Sequence, residues 1–258
     1  MEWTDEGIVL SARKHGESAA IVNLLTEAHG RHAGLVRGGA GKRARGIYEP
    51  GNRVRATWKA RLEEHLGSYT CELLRAGAAD WLDDPMRLAG LSAVCAVAEA
   101  ALPEREPHPE TYARLSAFID GLDRGDWLKS YVMWERDLLA DMGFGLDLSE
   151  CAGGGGAADL AYVSPKSGRA VSRAAGATYK DKLLRLPVFL LDDPARGVER
   201  GVARGVESEN PATEFDEIAD IADGLKLTGY FLERHAFIHD ARGVPPARTR
   251  LAARISRL

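Results

Sequence analysis

The stretch Arg53–Arg61, RVRATWKAR, puts charged or polar residues at every second position. Arg53, Arg55, Thr57, Lys59 and Arg61 fall on one side, and Val54, Ala56, Trp58 and Ala60 fall between them. A strict period of two is the signature of an extended strand with one face packed and the other in water. The wet face of this strand is cationic. The run RHAGLVRG agrees, with Arg31, Ala33, Leu35 and Arg37 sharing a side.

Three further runs, GIVLSAR, SAAIVNLLT and GSYTCELLRAG, bring the total before residue 80 to five. Gly, His and Pro punctuate them at regular intervals, which predicts a small all-β barrel or sandwich over 1–80. The texture changes from Asp83. An aspartate cap with Pro85 two residues on opens the Ala-rich LSAVCAVAEAAL. PETYARLSAFIDGL is a second amphipathic helix, with Tyr112, Leu115, Ile119 and Leu122 along one face. DWLKSYVMWERDLLADMGF is a third, opened by Asp126 and stopped near Gly143. Residues 146–178 are irregular and glycine-rich, and YKDKLLRLPVFLLD reads as a helix interrupted at Pro187. Residues 192–212 read as a loop, EFDEIADIADGLKLTGYFLERHAFI as a long helix, and PPARTRLAARISRL as a closing basic helix with Pro at its start. The expected organisation is α+β, with a barrel over 1–80 and an all-α domain over 81–258.

Charge separates the two parts. The chain carries a net −4, yet residues 1–80 are net +2 and the window 31–61 is net +8, with Glu49 its only acid. Within that window lies the glycine-rich GGAGKRAR. A nucleotide cradle is excluded by spacing, since Val36 stands where a Walker loop needs Gly and Arg43 where it needs Ser or Thr. Two readings of the loop stay open, a solvated linker and a grip on a phosphate backbone. The neighbouring cationic strand favours the second, because Lys and Arg on one side of a small barrel bind phosphates by releasing counterions. Tyr48 and Tyr69 are candidate stacking aromatics for a single strand, whereas Trp58 belongs to the core.

Other chemistries find little support. His235 and His239 are four apart on a helix, but Ala236 stands where a zinc peptidase needs Glu. CAGGGGAADL follows no apolar strand, so it is not a dinucleotide loop. There is no G-x-S-x-G elbow, and no Cys–His nucleophile signature or pair of catalytic carboxylates. The expectation is a binding protein and not an enzyme, with no cofactor and no metal. Cys71, Cys95 and Cys151 are too few and too scattered for a disulfide framework. MEWTDEG has no apolar signal region and no run approaches the length of a membrane span, so a soluble cytoplasmic protein is expected.

The ordered short motifs resemble the RecO family of bacterial DNA repair proteins. They are Arg13, Gly16-Glu17-Ser18, Leu25-Thr26-Glu27 with Gly30, and Val36-Arg37-Gly38 with Lys42 and Arg43 behind. WERDLLADMGFGLDLSEC and LAYVSPKSGRAVSRAAG extend the likeness. The resemblance implies an OB-fold barrel followed by a helical domain. It also implies nucleoid-associated binding of single- and double-stranded DNA, strand annealing, cooperation with RecR, recruitment through the acidic tail of the single-strand binding protein, and RecA loading. The DNA-binding set expected from charge and resemblance together is Arg13, Lys14, Arg31, Arg37, Lys42, Arg43, Arg45, Arg53, Arg55, Lys59 and Arg61. Arg248, Arg250, Arg254 and Arg257 of the last helix read as a solvated face. An RNA-binding OB-fold protein and a protein-only scaffold are the alternatives.

Two positions depart from the family pattern. Many relatives carry a zinc ribbon of two C-x2-C pairs; here the frame is Cys151-x2-Gly154 and Ser172-x2-Ala175. One ligand of four cannot close a tetrahedral site, so a degenerate, metal-free ribbon held by Tyr162, Val163 and Val171 is expected over about 146–178. Where some relatives place basic residues for the partner's acidic tail, this chain has Val132 and Met133. Lys129 and Arg136 flank Met133 on the same helix and complete the expected partner-binding set.

Overall fold

The computed structural model describes residues 1–154, 156–191, 214–238 and 243–258. The expected 192–212 loop and His239 lie outside the described residues. The chain divides into two compact units, Met1–Trp127 with Pro245–Leu251, and Leu128–Val244 with Ala252–Leu258.

The first unit is built on β1 (Glu2–His15), β2 (Ala19–Thr26), β3 (Gly30–Val36), β4 (Arg53–Lys59) and β5 (Ser68–Arg75), with a single helical turn, α1 (Lys42–Arg45), between β3 and β4. They close into a barrel of order β1-β2-β3-β5-β4. Closure rests on a parallel contact between β3 and β5 at Leu35↔Ser68 and an antiparallel one between β1 and β4. This is the five-stranded topology of an OB-fold. The core is the inward half of the alternation read from the sequence. Val54, Ala56 and Trp58 are buried with Val22, Leu24 and Val36, and Trp58 Nε1 donates to the Leu66 carbonyl at 3.0 Å.

β1 is longer than the sequence suggested, since it starts at Glu2 instead of Gly7. Its first half pairs with β4 and its second half with β2. A bulge between Val9 and Ser11 lets one strand serve both neighbours by adding local twist. The bend carries Arg13 and Lys14 toward the β1–β2 turn.

Three helices follow, α2 (Pro85–Ala101), α3 (Pro109–Asp120) and α4 (Trp127–Asp141). The cap of α2 is Asp84 and not Asp83. Its carboxylate accepts from the backbone N–H groups of Met86 and Arg87, both at 3.0 Å, and Pro85 occupies the first helical position. Ser11 and Asn23 both donate to Glu99 Oε1 at 2.8 Å, which ties α2 to β1 and β2.

In the second unit, β6 (Leu160–Val163), β7 (Ala170–Ser172) and β8 (Leu184–Arg185) form a three-stranded sheet of order β7-β6-β8. A four-residue helix, α5 (Arg173–Gly176), and a 3-10 stretch over Ala177–Lys182 join β7 to β8. The helix expected over 179–192 is therefore wrong. Leu184 pairs with Val163 and Arg185 with Tyr162, and sheet completion overrides local helix preference just before Pro187. α6 (Glu214–Phe231) runs on into a π-helical turn at Leu232–Ala236, and α7 (Pro246–Ile255) ends the chain. No helix among the described residues is long and apolar enough to cross a membrane.

Candidate nucleic-acid interface

The β4 face has the alternation expected of it but not the bare charge. Register sets Glu2 opposite Lys59, Thr4 opposite Thr57 and Glu6 opposite Arg55. Lys59 Nζ lies 2.9 Å from Glu2, Arg55 Nη2 lies 3.1 Å from Glu6, and the two threonine hydroxyls meet at 2.9 Å. Glu72 adds a second carboxylate 3.7 Å from Arg55. Arg53 turns onto α3, donating to the Ser116 hydroxyl at 2.7 Å and pairing with Asp120. Cross-strand pairs of opposite charge stabilise a sheet by about 0.2–1 kcal/mol each. They also leave little net positive potential along β4.

Arg31 is similarly engaged. Its Nε donates to the Leu102 carbonyl at 2.8 Å, while its backbone accepts from Arg105 N–H at 2.7 Å. Arg61 is exposed on the β4–β5 loop, which Arg105 holds through the carbonyls of Glu63 and His65.

The remaining six of the expected set are exposed. They are Arg13, Lys14, Arg37, Lys42, Arg43 and Arg45, and among the described residues none has an acidic partner. The fold brings them to the end of the barrel that carries α1. Arg13, Lys14 and Arg45 line one groove of about 490 Å³, floored by Gly39 and Tyr48, with Glu49 at its edge. The loop expected over 38–46 is thus a turn followed by α1, not an open linker. Ala40 N–H donates to the Ser18 carbonyl at 2.9 Å, fastening this segment to the β1–β2 turn.

Gly39 has a specific task here. A Cβ at this position would lie 2.9 Å from Ala20 Cβ and 3.0 Å from Val36 Cβ. Gly39→Ala is expected to destabilise the chain by about 1–3 kcal/mol through overpacking, read as a lower urea midpoint.

Tyr48 and Tyr69 do not serve as stacking platforms. They are 5% and 4% exposed, and burial pushes both phenols up from their ordinary range. Tyr69 hydroxyl contacts His32 Nδ1 at 3.1 Å, and its ring covers Gly34. Trp58 is core, as expected.

The expected partner-binding set on α4 offers no bare charge. Lys129 Nζ pairs with Glu217 at 2.5 Å. Arg136 is 11% exposed and is held by Asp137 and by the Leu190 carbonyl at 3.0 Å, with Met133 half-buried between them in sequence. The ribbon positions do not suit a zinc ion either. Only Cys151 supplies a thiol, and its Sγ accepts from Ser172 N–H at 3.2 Å and Gly153 N–H at 3.4 Å, with Ser172 Oγ also 3.4 Å away. The hydrogen bond with the Ser172 side chain first, then the one from its backbone N–H, hold the thiol below its usual value. Hydrogen bonds to the Cys151 sulfur join these loops. Val163 is buried, while Tyr162 and Val171 are half-buried.

A closed OB-fold barrel with six exposed cations gathered at one end, followed by helices and a small three-stranded sheet, defines a two-unit α+β protein of the OB-fold class. Sequence comparison narrows the class. Residues 1–76 match the family model described as "Recombination protein O N terminal", and residues 82–203 match "Recombination protein O C terminal". The chain is 49% identical to DNA repair protein RecO of Rhodospirillum rubrum, covering 100% of this chain and 97% of the relative. It is 51% identical to the RecO of Rhodospirillum centenum over 98% and 94% of the two chains. It is 46% identical to that of Cereibacter sphaeroides over 100% and 99%. The chain belongs to the RecO family of DNA repair proteins.

Proposed function

We propose that the chain is a non-enzymatic, DNA-binding recombination mediator. It holds single- and double-stranded DNA at the α1 end of its barrel and anneals complementary strands. With RecR it helps RecA load onto DNA coated with single-strand binding protein, whose acidic tail recruits it. The observation that carries this reading is the cluster of Arg13, Lys14, Arg37, Lys42, Arg43 and Arg45, exposed and without acidic partners among the described residues. The relatives' name, DNA repair protein RecO, supports DNA as the ligand. Lys and Arg in such a cluster act on phosphates and carry no base specificity, which suits a protein that must accept any sequence.

The test is annealing of complementary strands coated with single-strand binding protein. Wild-type chain should accelerate duplex formation, and a matched single-stranded RNA should compete less well than DNA. No acceleration would defeat the mediator reading, and equal competition would move the function to RNA.

A further inference from the structure

A second cationic surface lies on the ribbon-like sheet. Between Ser164 and Leu186 the chain carries Lys166, Arg169, Arg173, Lys180, Lys182 and Arg185 against the single acid Asp181, a net of +5 in a chain that is net −6 beyond residue 80, although Arg169 is paired with Asp147 and Glu150. The 3-10 stretch Ala177–Lys182 shapes this surface. Side chains three apart eclipse in a 3-10 helix, so Tyr179 and Lys182 share a side. Tyr179 is 59% exposed, and its ring has no stacking or hydrogen-bond partner among the described residues. Lys180 and Lys182 are exposed, without acidic partners among the described residues. Lys180 lines a groove of about 400 Å³ with Arg173, Arg185 and Tyr162, and Asp181 and Asp220 line it too. Arg173 and Arg185 touch Asp159 and Asp223 through Nε at 3.3 and 3.4 Å, and both remain exposed.

This turn is held in place. A Cβ at Gly176 would sit 2.6 Å from the Tyr162 ring, so the chain lies directly on the sheet there. An exposed aromatic ring on a fixed turn, flanked by lysines without acidic partners among the described residues, beside a groove where three cations outnumber two carboxylates, has the composition of a single-strand platform. The ring stacks a base, and the cations track the phosphates. The barrel groove has the charge but buries its tyrosines.

We propose that Tyr179, with Lys180, Lys182, Arg173 and Arg185, forms a second binding site, specific for single-stranded DNA. This rests on the reading that the chain handles DNA. It gives one molecule two strand contacts of different character, an electrostatic one on the barrel and a stacking one on the ribbon-like sheet.

The test is binding of a labelled oligothymidylate to the full chain across a salt series. Tyr179→Ala should weaken binding about ten-fold, with Tyr179→Phe close to wild type, since stacking needs the ring and not the hydroxyl. Lys180→Ala/Lys182→Ala should flatten the salt slope by about 1.4, at roughly 0.7 per phosphate contact. Wild-type affinity and slope in both Tyr179→Ala and the lysine pair would overturn the second site. In that case a loss in Lys42→Ala/Arg43→Ala would leave the proposed function standing. No binding by the wild-type chain at low salt would overturn both.

Discussion

Replacing Arg13, Lys14, Lys42 and Arg43 together by alanine is expected to lower single-strand affinity by about 10²–10³-fold at 0.1 M salt and to flatten the salt slope by about 3. Each cation that neutralises a phosphate releases condensed counterions, and each loss removes about 0.7 from the slope on a single strand. All four side chains are exposed, so the variant should fold as the wild type does. The matched control is Arg55→Ala/Lys59→Ala. These residues already answer Glu6, Glu72 and Glu2, so their removal should change affinity by less than about three-fold. A fluorescence-anisotropy titration at several salt concentrations reads both quantities. An unchanged slope in the quadruple variant, or a steep loss in the control, would move the interface back to the β4 face.

The second large effect is on stability. Burial, with the Arg105 charge behind it, pulls the His32 imidazole from 6.5 down to about 4. The folded barrel therefore holds His32 neutral, packed edge-on against Trp58 and in contact with the Tyr69 hydroxyl. The unfolded chain takes up a proton from about pH 6.5 downward, whereas the folded chain does so only near pH 4. Stability from this group is thus complete above pH 6.5, falls as pH drops from 6.5 to 4, and is level below. The loss is about 3 kcal/mol at most, because a tenfold difference in proton affinity between the folded and unfolded chain is worth about 1.36 kcal/mol. Comparing urea midpoints of wild type and His32→Gln at pH 7 and pH 4.5 isolates it, because the carboxylates are common to both. The stability gap should narrow markedly at the lower pH, and a constant gap would contradict the assignment.

The strands were legible because a period of two survives in short runs, as in Val54-Ala56-Trp58 against Arg53-Arg55-Thr57. The charge balance was not. Glu2, Thr4 and Glu6 alternate as plainly as their partners, but only the register shows that they face Lys59, Thr57 and Arg55. On its own, MEWTDEG is an acidic start; beside β4, it is the neutralising half of a ladder. The weight of the candidate site moved accordingly, from the β4 face to Arg13, Lys14 and the α1 turn. Tyr48 and Tyr69 were misplaced because a tyrosine in a small barrel can face either way and only the closed core decides. The segment LLRLPVFLL carries too short an apolar pattern to separate helix from strand, and two residues of sheet pairing settled it. The platform at Tyr179 has no compact signature in the chain, because YKDK reads as the start of a helix and Arg173 and Arg185 lie six residues to either side of the tyrosine.

The two roles of β1 are expected to separate in folding time as well as in space. Its second half belongs to a meander in which β1, β2 and β3 are joined by short turns, and such local pairings form early. Its first half must find β4 some fifty residues later, as in Glu2↔Lys59 and Glu6↔Arg55, and long loops close late. Arg13, Lys14 and Arg45 lie on the meander and the turn fastened to it, apart from the Glu2–Lys59 seam. The groove proposed to hold phosphates is therefore expected to take shape before the barrel is sealed, and to outlast transient unzipping of that seam.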